Sequence, residues 1–166
     1  HINIITFDRE VKEILPLTDL ESLQLPEITT PESGPTNMGA ALELLIQTMD
    51  RELIKGSADQ KGDWRPLVFL MTDGKPSDLA AFREVVPKIK SKNLAGLIAC
   101  AAGAEAQDSY LKELTDTVVH LDTADSNTLS SFFKWVSDSI GAGNMSVGTS
   151  ETIALPPPPS EVHVII

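Results

Sequence analysis

The chain has 166 residues, 42% of them hydrophobic, and a formal net charge of −11. That is enough apolar material for one domain with a core, and no run approaches the ~20 apolar residues of a membrane-spanning helix. The acidic balance argues against a nucleic-acid partner, which needs clustered Lys and Arg.

The single cysteine, Cys100, stands in the apolar run Leu97-Ile98-Ala99-Cys100-Ala101 and reads as a small buried hydrophobe rather than a catalytic thiol. An intrachain disulfide is excluded, which fits a reducing, cytoplasmic compartment. No signal peptide is visible. The chain opens on His1 and runs straight into a strand pattern, which predicts a fragment or a processed chain.

His1 to Phe7 is rich in β-branched residues and predicts a strand. Asp8-Arg9-Glu10 is a turn, and Val11 to Leu17 is the returning strand, with Pro16 marking a sheet edge. Pro26, Pro31, Gly34 and Pro35 break the segment Thr18 to Pro35 into a loop. From Asn37 the period becomes helical, with Met38, Leu42, Leu45, Ile46, Met49 and Leu53 on one stripe. A polar connection, Lys55 to Arg65, leads to Leu67-Val68-Phe69-Leu70-Met71, an unbroken apolar run expected of a strand covered on both faces.

Ser77 and Asp78 are placed to cap the next helix, with Phe82, Val85, Val86 and Ile89 buried and Pro87 kinking or shortening it. Leu94 to Ala101 is the next buried strand. A short helix over Gln107 to Leu114 and a strand over Thr117 to Leu121 follow. Asp125 then caps a helix whose buried stripe is Leu129, Phe132, Phe133, Val136 and Ile140. Strands alternating with helices predict an α/β fold, mostly a parallel sheet between helices, with the leading hairpin as an antiparallel edge. The boundaries predicted are a domain over 1–140 and a linker with a Pro-rich tail over 141–166. That tail ends in the apolar stretch Glu161 to Ile166.

Ligands of open α/β sheets sit at the carboxyl ends of the strands. Two segments put oxygen donors there: Ser33-Gly34-Pro35-Thr36-Asn37-Met38-Gly39 before the first helix, and Thr72-Asp73-Gly74 at the end of the apolar strand. A hydroxyl and a carboxylate suit Mg2+ or another hard cation. Each also has a purely structural reading, Thr36 as a helix cap and Asp73-Gly74 as a turn. His1, His120 and His163 show no metal-ligand spacing. Gly141-Ala142-Gly143 lacks the lysine and strand of a phosphate loop. Asp122 and Asp125 would flank a substrate as an acid/base pair, although capping accounts for Asp125.

In this order, Thr36 with Gly39 at the head of an amphipathic helix and then Thr72-Asp73-Gly74 ending an apolar strand resemble the von Willebrand factor A domain. The opening strand Ile4-Ile5-Thr6-Phe7-Asp8 is similar to that fold's second strand. The resemblance implies a Rossmann-like three-layer fold and assigns Thr36 and Asp73 to a metal-ion-dependent adhesion site.

A closer resemblance is to the TerY-type proteins of tellurium-resistance gene clusters. It is carried by residues 62–74 (Gly62-Asp63-Trp64-Arg65-Pro66 through Gly74), Asp122-Thr123-Ala124-Asp125-Ser126, Phe132-Phe133-Lys134-Trp135-Val136 and Leu155-Pro156-Pro157-Pro158-Pro159.

The family's Asp-x-Ser-x-Ser motif, which ends its first, central strand, has no counterpart here. Asp108-Ser109 and Asp138-Ser139 do not provide it. That strand and its helix, roughly 30 residues, are expected before His1, so that the metal site is incomplete and Mg2+ binding by this chain weak or absent. The function implied is a non-enzymatic interaction module of a bacterial stress response. A protein partner, with a kinase or phosphatase of the same cluster as the candidate, supplies an acidic residue to the metal. Neither nucleic acid nor membrane is involved. The alternative is a Mg2+-dependent phosphohydrolase with Asp73 at its site.

Overall fold

The computed structural model describes residues 1–29, 34–57, 59–103, 106–123, 125–145, 157–160 and 162–165, without the side chains of 140–145 and 165. The chain divides into two compact units, His1–Trp64 with Pro76–Lys92, and Arg65–Lys75 with Asn93–Ile166.

In the first unit, β1 (Ile2–Phe7) and β2 (Val11–Thr18) form an antiparallel hairpin. The Asp8 side chain closes its turn by accepting the Glu10 N–H at 2.7 Å. Register shifts next to Ile4 interrupt the ladder, and Asn3 Nδ2 donates there to Glu13 and to the Leu15 carbonyl. The hairpin was expected at the edge of the parallel sheet; it forms a two-stranded sheet of its own.

Helix α1 (Met38–Glu52) buries Met38, Leu42, Ile46 and Met49, the predicted stripe, and α2 (Leu79–Lys90) buries Phe82, Val85 and Ile89. Pro87 sits on the exposed side within three residues of the end of α2, where little helix remains for it to break. The two helices meet at Gly39, where an added Cβ would lie 2.3 Å from the Phe82 backbone nitrogen. Charged pairs tie the rim of this packing: Lys88 with Glu43 at 3.2 Å, and Lys92 with Asp50 at 2.7 Å. Glu13 on β2 takes Arg51 and the buried Thr48 hydroxyl from α1.

The second unit is built on a four-stranded sheet in the order β3-β4-β5-β6. Strands β3 (Leu67–Thr72), β4 (Gly96–Ala102) and β5 (Val118–Leu121) run parallel, and β6 (Val162–Ile165) pairs antiparallel with β5. Helix α3 (Asp108–Leu114) buries Leu111 and Leu114. Helix α4 (Ser126–Met145) continues five residues past Ile140, the last of its periodic apolar positions. Phe132, Trp135 and Val136 of α4 form one core cluster with Ile98, Cys100, Val119, Leu121 and Val162. Phe133, expected in that stripe, is 55% exposed and meets Phe132 edge-on at 5.5 Å. The tail folds back on the chain, and Val162 to Ile165 extend the sheet. The physical reason is apolar burial, because Val162 fills the core beside Leu121.

Candidate functional site

Thr36 belongs to the first unit, and its backbone is fully engaged. Its N–H donates to Ser77 Oγ at 2.8 Å, and its carbonyl accepts from the N–H groups of Ser77 at 2.8 Å and Met38 at 2.9 Å. Its hydroxyl takes no part in these bonds, and the residue is half-buried. The N-cap position of α1 falls on Asn37, which makes no side-chain cap bond; its Nδ2 donates to the Arg9 carbonyl at 2.9 Å, and its N–H to the Asp8 carbonyl at 3.0 Å.

The cap of α1 comes from Asp78 instead. Its two oxygens accept the N–H groups of Gly39 at 3.1 Å and Ala40 at 2.9 Å. Asp78 stands at the N-cap of α2, as expected, yet makes no side-chain cap bond to that helix. Sequence reasoning missed this because an Asp before a helix carries no mark saying which helix it caps.

Asp73 belongs to the second unit, at the carboxyl end of β3. The buried Thr72 hydroxyl closes the turn, accepting the Gly74 N–H and donating to the Gly74 carbonyl, both at 3.2 Å. Those bonds fix the backbone of the turn while the Asp73 side chain is exposed.

Two other groups carry polar chemistry in the second unit. Asp125 caps α4 through the N–H groups of Asn127 and Thr128 at 2.9 and 3.0 Å, and its other oxygen accepts the Thr123 and Thr128 hydroxyls. The Thr123 hydroxyl, followed by the Thr128 N–H, pulls this carboxyl down to about 2. Asp122 pairs with His163 at 3.3 Å, and both line a cavity of ≈ 310 Å³ with Thr123, Thr128 and Ser160. The Cys100 thiol is buried, and desolvation pushes it up to about 12, which makes it inert at neutral pH.

The sequence profile described as "von Willebrand factor type A domain" matches residues 1–135. The chain belongs to the von Willebrand factor type A domain family. No curated protein and no solved structure matched the chain significantly. Domains of this family commonly mediate protein–protein interactions and often bind a divalent cation. The observed α/β architecture, with its mostly parallel sheet, is the one the family implies.

The Thr36 hydroxyl and the Asp73 carboxylate are each hard oxygen donors of the kind a divalent cation takes. Among the described residues, no group of three or more His, Cys, Asp or Glu side chains is arranged to hold a metal. His1, His120 and His163 pair instead with Asp19, Asp108 and Asp122. No helix among them is long and apolar enough to cross a membrane.

Proposed function

We propose that this von Willebrand factor A domain is a non-enzymatic docking module of a bacterial tellurium-resistance and stress-response system, working in the cytoplasm. Thr36 and Asp73 serve one divalent cation, Mg2+ in the first instance, and a partner protein completes its coordination with an acidic side chain. A kinase or phosphatase of the same system is the partner. Residues 1–140 make the domain proper, with α4 running on to Met145, and the rest of 141–166 is a linker and tail whose strand β6 returns to the sheet.

The observation that carries this reading is the Thr36 hydroxyl. The bland role for a threonine in that place is helix capping, and Asp78 has taken it. Ser77 holds the Thr36 backbone through both its hydroxyl and its N–H. The Thr72 bonds likewise shape the turn and leave Asp73 exposed.

The remaining ligands come, in this proposal, from a further strand beside β3. Strand β3 is apolar from Leu67 to Met71, yet among the described residues it pairs only with β4. A parallel strand of that composition is ordinarily paired on both sides. The TerY-type segments, above all residues 62–74, give the stress-response assignment.

The test is capture of partners by the full-length protein with Mg2+ or with chelator, followed by mass spectrometry. A kinase or phosphatase retained only with Mg2+, and lost in Asp73→Ala, is the expected result. Mg2+-dependent phosphatase turnover that Asp73→Ala abolishes would replace this reading with an enzymatic one.

A further inference from the structure

We infer that Asp78 is the positioning residue of the Thr36 loop, acting as a built-in anion on the N-terminus of α1. The inference deepens the docking proposal and rests on it for its functional consequence, whereas its geometry stands independently.

An α-helix leaves its first four N–H groups without intrahelical carbonyl partners. In α1 every one of them is accounted for. Asn37, at the N-cap, donates to the Asp8 carbonyl at 3.0 Å and Met38 to the Thr36 carbonyl at 2.9 Å. The remaining pair, Gly39 and Ala40, donate one bond each to the two oxygens of Asp78. A carboxylate so placed does what a bound phosphate or acidic ligand does at a helix terminus. Ser77, next to it in sequence, takes both backbone groups of Thr36. Ser77-Asp78 thus clamps residues 36–40 from one side, and the Thr36 hydroxyl is the polar group left over.

Gly39 makes the clamp fit. The Phe82 backbone nitrogen would lie 2.3 Å from a Cβ at this position, so α1 and α2 approach with nothing between them. Asp78 begins α2 and is half-buried at that crossing. Its carbonyl accepts the Phe82 N–H at 2.9 Å, which locks the main chain that carries the carboxylate.

The consequence is one of specificity. With its own carboxylate on the helix terminus, the loop offers no direct seat to a partner's acidic group. The loop therefore holds its shape, and the Thr36 hydroxyl its place, without an anion from outside the chain.

The experiment is amide hydrogen exchange and NMR on the whole chain, comparing wild type with Asp78→Asn and Asp78→Ala. Asp78→Ala should lower protection at Gly39 and Ala40 about tenfold or more, relative to the rest of α1, and shift the Thr36 amide. Sodium acetate should restore both in Asp78→Ala and leave the wild type unchanged. Asp78→Asn keeps one acceptor oxygen and should lose protection at one of the two amides; it decides the matter if Asp78→Ala does not fold. Unchanged protection at both amides, or a loss spread evenly over α1 that acetate does not reverse, overturns the inference. Titrating the wild type with Mn2+ separates the two claims. Absence of line broadening at Thr36 would count against the cation reading and leave the Asp78 result standing.

Discussion

The two units hold themselves together in different ways. In the unit of β3 to β6, one apolar cluster joins sheet and helix: Ile98, Cys100, Val119, Leu121 and Val162 against Phe132, Trp135 and Val136. In the unit of β1, β2, α1 and α2, the apolar stripes of the helices are supplemented by specific polar fasteners. Asp78 caps the neighbouring helix, Glu13 gathers Thr48 and Arg51, Glu52 accepts the Leu17 N–H at 3.1 Å, and Lys92 holds Asp50. Burial is non-directional and tolerates adjustment. A network of bonds to backbone N–H groups does not, because each unmet donor is costly.

The comparison is broken most directly in the apolar cluster. Phe132 is 2% exposed, and Phe132→Ala should cost ~3–5 kcal/mol in denaturant stability. A loss near that of a surface substitution would remove the cluster from its central place.

Gly39→Ala probes the first unit, and here the sign decides. Ala is the better helix former by ~1 kcal/mol, so an uncrowded site would be stabilised. The Cβ contacts with the backbones of Phe82 and Ala81 predict a destabilisation of ~1–3 kcal/mol instead.

The tail is tested by Val162→Ala. With Val162 3% exposed, the loss should be ~1.6 kcal/mol from two methyl-sized groups before any cavity effect, and Val164→Ala at 39% exposure should cost less. Equal and negligible effects would release β6 from the sheet.

The smallest effect is electrostatic. Asp125 lies below its ordinary range in the folded chain, so its contribution is fully present above pH about 4 and fades as the pH falls toward about 2. Asp125→Asn should remove that part of the pH dependence, as followed by the thermal midpoint across this window. An unchanged profile would mean that the cap contributes nothing to stability.

Much of the fold was legible because period and composition are strong signals. The stripe Met38, Leu42, Ile46 and Met49 and the run Leu67 to Met71 name their elements without tertiary information. What escaped was set by long-range pairing. Nothing in Ile2 to Thr18 says whether the hairpin joins the parallel sheet, and nothing in Val162 to Ile165 says which strand edge it takes.

The candidate site shows the same division. Thr36 and Asp73 are candidates through a resemblance of loop and strand end alone. The cap from Asp78 joins residues about 38 positions apart and left no trace in the local pattern. Asp122 likewise gained His163 as a partner only once the tail folded back.

The docking proposal stands on Asp73 as a ligand of a divalent cation. Calorimetric titration of the 166-residue chain with Mg2+ tests it most directly. Weak binding that Asp73→Ala abolishes is the predicted result. Tight binding by this chain, or weak binding indifferent to Asp73→Ala, would contradict it.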